Sequence, residues 1–418
     1  MDFFKFLDYS VTPYHTVDFL RGEFVRSGFQ VLNGNSEFCV IPGNAYVVER
    51  GGALIAFRVP KQASSKSRFR IALAHTDFPA LKVSPNPDKV CAGVVKLHTE
   101  VYGGAIYNSW LDRDLGYAGV IAFEKSGELR SKIFRGRKLL RIPELAVHLN
   151  RGVNQDGLKV NPQVDFEALW GADNSSTLNF VDTLQSELED GARLLDFDVQ
   201  LFDAQPAAHG GFSDEWIYSG RLDNLSSCHA IAEAFLESSA PENDFAVAAF
   251  LNNEEVGSTT REGASGNFLK MVLELIWNKS VPSSANLFET AVADSFALSI
   301  DMAHAEHPNH PEKSEPNHAP LLGQGIVLKI NSQKRYASDV MSSARFKLIC
   351  NQAGVPYQTF VMRNDMPCGS TVGPAISASL GISTVDIGEP MLSMHSIREM
   401  MALKDHENMI LVVKSFLL

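Results

Sequence analysis

Polar side chains able to do chemistry stand at the ends of apolar runs. Glu254 and Glu255 are adjacent in "LNNEEVGS", directly after the run "FAVAAF". Like charges side by side at the mouth of a buried segment repel each other and lose hydration. A divalent cation offsets both costs. One carboxylate binds it, and the other stays free to take a proton from a coordinated water whose pKa the ion lowers. His75 and Asp77 in "AHTD" fit the same logic. Asp77 could hold the second ring nitrogen of His75 and fix the metal-binding tautomer. Asp301 closes "FALSID", Asp223 sits in "RLDN" and His395 in "MLSMHSIRE". Imidazole and carboxylate without thiolate suit zinc, manganese or cobalt. The residues alone leave open which of Glu254 and Glu255 is ligand and which is base.

Each element by itself has a plainer reading. Paired glutamates are commonly a solvated turn, a buried histidine is commonly just hydrogen-bonded, and an aspartate in "RLDN" caps a helix. The weight lies in their shared position at strand ends and helix starts. In open α/β sheets that edge is where ligands bind.

The elements that must position them follow from the apolar pattern. "NAYVVERGGALIAFRV" and "SRFRIALAHTD" read as strands, as do 245–251, 296–301, 325–330, 357–362 and 383–388. Helices are expected over 1–30, 225–238, 339–352, 371–380 and 396–416. Residues 88–207 have another texture, with alternating strands and glycine turns, and with "QDGLKVNPQ" and "GADNSSTLN" as loops. The expected layout is an α/β catalytic domain built from 1–87 and 208–418, with a β-rich module of 88–207 inserted. There is no internal repeat.

Composition narrows the class. A chain of 418 residues exceeds the usual size of one core. A net charge of −12 argues against nucleic acid as a partner, because no basic excess neutralises phosphates. The cysteines (Cys39, Cys91, Cys228, Cys350, Cys368) are odd in number and form no CxxC pair, which points to a reducing compartment without disulfides. The N-terminal stretch lacks a basic leader, and no apolar run reaches the roughly 20 residues of a membrane span. A soluble cytoplasmic protein, not membrane-bound, is expected.

With these residues in place, eight ordered stretches resemble the M18 family of metalloaminopeptidases, the aspartyl aminopeptidases. They are "AHTDFPALKVSP", "LAVHLNR", "GRLDNLSSCHA", "NNEEVGSTTREGASG", "SIDMAHAEHPN", "HAPLLGQGIVLKINSQKRYASD", "RNDMPCGSTVGP" and "MLSMHSIREM", and they span nearly the whole chain. The resemblance implies a zinc-peptidase α/β/α sandwich carrying an inserted β-rich dimerisation domain. It implies two Zn2+ per subunit, with Mn2+ or Co2+ as substitutes. His75 and Asp301 would bind one ion, Glu255 and His395 the other, and Asp223 would bridge both. Glu254 would be the general acid/base, with Asp77 beside His75 in the catalytic group. Lys329 and Tyr336 match substrate-side positions. His148 would reach a neighbouring subunit's site, because homodimers of the family assemble into a tetrahedral dodecamer.

The implied activity is hydrolysis of the N-terminal residue from peptides, with a preference for acidic N-termini. Lys329 is suited to an acidic side chain, while the net charge of the chain would repel acidic peptides, so any such preference must come from local cations. Rival readings are a di-zinc deacylase of N-acyl amino acids, a broad-specificity aminopeptidase and a metal-retaining shell without turnover. The tract "HAEHPNHPEKSEPNH" tempts toward a further metal site, but His304, His307 and His318 are read as shaping a loop and subunit contacts. Cys368 is read as a packed thiol, since no base is placed to activate it.

Overall fold

The computed structural model describes residues 1–32, 40–173, 179–282 and 287–418. Its centre is a nine-stranded sheet. Across the sheet the strands run Gln30–Val31, Ala45–Arg50, Ala53–Arg58, Phe245–Leu251, Phe69–His75, Phe296–Ile300, Ser383–Gly388, Ile326–Ile330 and Tyr357–Val361. The four in the middle, Phe245–Leu251 through Ser383–Gly388, pair in parallel. Their sequences are nearly unbroken apolar runs, and every residue of Phe245–Leu251 and Phe296–Ile300 is buried. That pattern belongs to strands covered on both faces.

Helices supply the cover. On one face Phe3–Tyr9, Pro13–Arg26, Leu222–Glu237, Val340–Ala353 and Leu403–Leu417 close a core around Phe24, Phe235, Phe250 and Met409. On the other, Phe268–Ser280, Phe288–Ala293 and Val372–Leu380 pack around Trp277, Phe245 and Ile71. The result is a three-layer α/β/α sandwich.

A second, wholly antiparallel sheet of six strands runs Glu128–Arg135, Leu115–Lys125, Arg193–Asp203, Ala80–Cys91, Val94–Tyr102 and Glu167–Ala172. It has its own core around Leu81, Leu97, Trp110, Tyr117 and Phe180. A third sheet, of five short strands, joins Ala208–Gly210, Trp216–Ser219, Glu399–Ala402, Pro390–Leu392 and Ala303–His304.

Several boundaries differ from the pattern reading. The first helix is two, because Thr12 and Pro13 interrupt it. Proline pushes the residue before it to extended backbone, and Thr12 instead caps the next helix by accepting the His15 N–H. The stretch 396–416 is not one helix. Glu399–Ala402 forms a strand against Trp216–Ser219, and the helix begins at Leu403. Long-range pairing decided that segment, and no local period shows it. The helices Phe268–Ser280 and Phe288–Ala293 lie outside the expected helical segments. Within "QDGLKVNPQ" the ends enter the short helices Val153–Asp156 and Pro162–Asp165. Part of "GADNSSTLN" and all of Cys39 lie outside the described residues.

Candidate active site

The parallel strands converge on one edge, and the side chains that follow them meet there. His75 ends Phe69–His75, Glu254 and Glu255 follow Phe245–Leu251, and Asp301 follows Phe296–Ile300. His395 sits beyond Pro390–Leu392 with a left-handed backbone (φ 68). Asp223 lies near the start of Leu222–Glu237, but its dihedrals (φ −82, ψ 105) are not helical. Its N–H, in the first turn and without a helical acceptor, donates to Glu399 Oε2 at 3.2 Å.

Two donor sets result. His75 Nε2 stands 3.5 Å from Asp223 Oδ1 and 3.6 Å from Asp301 Oδ1. His395 Nε2 stands 3.3 Å from Asp223 Oδ2 and 3.4 Å from Glu255 Oε1. Each set gathers its three donor atoms within 4.8 Å, and Asp223 offers one oxygen to each. Donors around a tetrahedral zinc, each about 2.0–2.1 Å from the ion, lie about 3.3–3.4 Å apart. The observed separations match that spacing.

The remaining valences agree with metal binding. His75 Nδ1 is 3.0 Å from the Asp77 backbone carbonyl, and His395 Nδ1 is 3.1 Å from that of Gly104. Each ring thus donates its Nδ1–H to a carbonyl and turns the Nε2 lone pair toward the carboxylates, the arrangement of metal-ligating histidines. Asp223 Oδ1 and Glu255 Oε1 are buried with no hydrogen-bond partner. Buried carboxylate oxygens left without donors are costly unless a cation meets them. The residues present fit a zinc site.

The electrostatics say the same. Burial works against the charged form of His75, yet Asp223, Asp301 and Asp77 outweigh it and hold the ring's pKa well above the usual imidazole range. His395 is likewise pushed up to about 10 against burial, by Asp223 and Glu255. Burial raises the Glu255 carboxyl strongly, with Asp223 adding to it. Glu254 is raised to about 7, chiefly by burial, with His75 opposing and Asp301 and Asp77 adding. Asp223 itself is held far below the usual carboxylate range. Burial opposes this, but both histidines overcome it. The carboxylates thus favour positive charge at both rings, and a bound cation would answer the same field.

Asp77 is placed differently from the sequence expectation. Its carboxylate lies 3.5 Å from His75 Nδ1, farther than its own carbonyl. The carboxylate instead accepts the N–H of Glu254 at 3.0 Å and of Glu255 at 3.1 Å, and the Tyr102 hydroxyl at 2.7 Å.

A cavity of about 210 Å³ opens over the cluster. Glu254, Lys329, Tyr336, His304, Phe360 and Thr371 are among its walls. Lys329 is only 3% exposed, with its Nζ 3.5 Å from Asp301 Oδ2 and 5.5 Å from the centre of the Tyr336 ring. Cys368 packs beside Tyr336 and Phe360. His148 is not part of this cavity in its own chain; it is exposed on a loop of the six-stranded module. In the histidine-rich tract His318 Nδ1 pairs with Glu315 at 2.5 Å, and the His307 and His310 rings lie 5.1 Å apart. Among the described residues no further metal-holding group occurs there.

Sequence reasoning missed two participants. Glu399 is buried, accepts the N–H of both Asp223 and His395, and is pushed up to about 8, mainly by burial. It stands four residues after His395 in "MHSIRE", and that short spacing is its only signal in the sequence. Tyr102 lies in the inserted sheet, and nothing in its local sequence points to Asp77.

A three-layer sandwich with imidazoles and carboxylates converging beyond its parallel strands defines a metal-dependent hydrolase. Comparison with known proteins supplies the family. The chain belongs to the M18 family of zinc aminopeptidases, since residues 6–417 match the family described as "Aminopeptidase I zinc metalloprotease (M18)". It is 38% identical over 419 residues to a probable M18 family aminopeptidase 2 of Pseudomonas aeruginosa, covering 98% of this chain and 96% of that one. It is 36% identical over 446 residues to aspartyl aminopeptidase 1 of Schizosaccharomyces pombe, covering 100% and 94%. Among solved structures, a chain of an Ape4 and Nbr1 complex superposes with a TM-score of 0.94 at 35% identity, covering 100% of this chain and 84% of that one. The S. cerevisiae mApe1 dodecamer gives 0.85 at 27% identity, covering 99% and 95%. The chain is therefore an aminopeptidase. Among the described residues no helix is long and apolar enough to cross a membrane.

Proposed function

We propose that this aminopeptidase holds two zinc ions and removes acidic residues from peptide N-termini. The observation that carries the reading is Asp223, whose two oxygens face two separate histidines and complete two donor sets. His75 and Asp301 would hold one ion with Asp223, and Glu255 and His395 the other. When bound, such ions would polarise the scissile carbonyl and acidify a water. Manganese or cobalt would serve the same donors.

Glu254 lines the cavity together with His75, Asp223, Asp301 and His395, and a carboxylate free of the donor sets is suited to take a proton there and return it. In this reading it accepts the attacking water's proton at its carboxylate and delivers it to the leaving amine. Asp77 positions Glu254 and Glu255 through their backbone N–H groups. Lys329 and the Tyr336 ring stand where the first side chain of a peptide would enter, and a buried ammonium attracts a carboxylate strongly.

The name of the fission-yeast relative, an aspartyl aminopeptidase, supports the acidic preference. The mApe1 dodecamer supports assembly through homodimers into a homododecamer. Residues around His148 agree with a second copy covering that loop: Leu145, Val147 and Leu149 are exposed apolar side chains, Leu149 at 74%. We assign dimerisation to the six-stranded module and place His148 at a neighbouring subunit's site. The unpaired cysteines Cys91, Cys228, Cys350 and Cys368 support a cytoplasmic setting.

The test is a panel of Asp, Glu, Leu, Ala and Lys chromogenic amides, with and without an N-acyl cap, after EDTA treatment and metal add-back. Zinc-restored cleavage of free-amine Asp and Glu substrates is the expected result. Cleavage of capped substrates alone would establish the deacylase instead.

A further inference from the structure

We propose that residues 102–106, where the inserted six-stranded sheet runs out toward the catalytic sheet, form a collar that positions both halves of the active site. Tyr102 is its principal positioning residue. The inference rests on the assignment of Glu254 as base and of Glu255 and His395 as ligands.

Tyr102 ends the strand Val94–Tyr102 of the inserted sheet. Its hydroxyl donates to Asp77 Oδ2 at 2.7 Å and accepts from Asn253 Nδ2 at 3.0 Å. Asp77 is fully buried, so no bulk water can replace that donor. The same carboxylate receives the N–H of Glu254 and Glu255. Asn253 has a left-handed backbone (φ 63) immediately before the glutamate pair. The hydroxyl therefore ties the turn that carries base and ligand from two sides.

The next residues act on the ligands directly. Gly103 has φ 73, and a Cβ there would stand 3.1 Å from Glu255 Cβ and 3.3 Å from its Oε2. Only glycine lets the chain pass so close with that backbone. The Gly104 carbonyl takes the His395 Nδ1–H at 3.1 Å, which leaves Nε2 for Asp223 and Glu255. The Ile106 N–H donates to the His395 carbonyl at 3.0 Å. His395 is thus gripped at ring and backbone, which offsets its left-handed conformation. A five-residue segment of the inserted module, supplying no ligand, bonds to Asp77 and His395 and passes close beside Glu255.

Three variants of the full chain test this. Tyr102→Phe removes one hydroxyl and keeps the ring. Its kcat should fall about tenfold with KM within about twofold, because the base is misplaced while substrate contacts remain. Bound zinc should stay at the parental level. If Tyr102 only packs, Phe keeps the parental kcat, and that outcome, or a loss confined to KM, overturns its role. Gly103→Ala and the gentler Gly104→Ala, whose Cβ would meet His395 Nδ1 at 3.3 Å, should lower zinc affinity in chelator competition. The expected drop is roughly 10–100-fold, as for other partners of metal ligands. Parental zinc retention in every glycine variant that folds overturns the collar. Glu254→Gln is measured in parallel. Full activity of that variant fells the underlying assignment and the collar with it. An inactive Glu254→Gln beside collar variants of parental behaviour refutes the collar alone.

Discussion

The carboxylate of Asp77 accepts the backbone N–H of Glu254 at 3.0 Å, and through its other oxygen that of Glu255 at 3.1 Å. An aspartate two residues after a histidine suggests a ring-orienting partner. Here the backbone carbonyl takes the nearer place by the ring, and the side chain organises the turn that follows the neighbouring parallel strand. Burial disfavours its charge, but His75, Tyr102 and the Glu254 N–H hold it below the usual carboxylate range. Through the two backbone N–H groups Asp77 anchors the glutamate turn.

Glu254→Gln tests the base. The variant keeps size and polarity but cannot carry a proton. We expect kcat to fall by roughly 10²–10⁴-fold with bound zinc unchanged. Parental turnover in a steady-state assay would show that another group moves the proton.

His395→Ala tests the second donor set. Only Asp223 and Glu255 remain there, so bound metal should drop from two ions toward one, measured by elemental analysis of the purified protein. An unchanged stoichiometry would refute the ligand role. His75→Ala should empty the other set in the same way.

Lys329→Met tests specificity. The variant keeps an apolar stem against Tyr336 and removes the cation. We expect kcat/KM for Asp and Glu amides to fall by about 10²-fold or more and that for Leu to change far less. Equal losses across the panel would mean that Lys329 serves Asp301, 3.5 Å away, and not the substrate.

Asp405 gives a pH prediction away from the metals. Its carboxylate takes the N–H of Gly323 at 2.6 Å and of Gly325 at 2.9 Å, yet burial pushes its pKa up from 3.8 to about 7. The folded chain therefore holds that proton more tightly than the unfolded chain. The associated stability is fully present below about pH 4 and is lost as pH rises toward about 7. Parent and Asp405→Asn should diverge over that window in urea melts, with the parent losing stability relative to the variant. A difference constant with pH would contradict the raised pKa.

The sequence by itself determined which strands are buried on both faces and which polar residues terminate them. Continuous apolar runs such as "FAVAAF", short and bounded by polar residues, fit strands covered on both faces, and a strand's end carries whatever follows it to the sheet edge. It also determined the donor chemistry, because imidazole and carboxylate without thiolate narrow the metal whatever the fold. Residue types and spacing left the division of the donors open; the family resemblance implied it, and the tertiary structure supplies the contacts that gather them into two sets. Asp223 faces both histidines, and its N–H goes to Glu399, 176 residues away. Tyr102 reaches Asp77 from a different sheet, and Glu399–Ala402 became a strand because Trp216–Ser219 lay beside it. Such pairings depend on contacts distant in the chain, and local periodicity carries no trace of them.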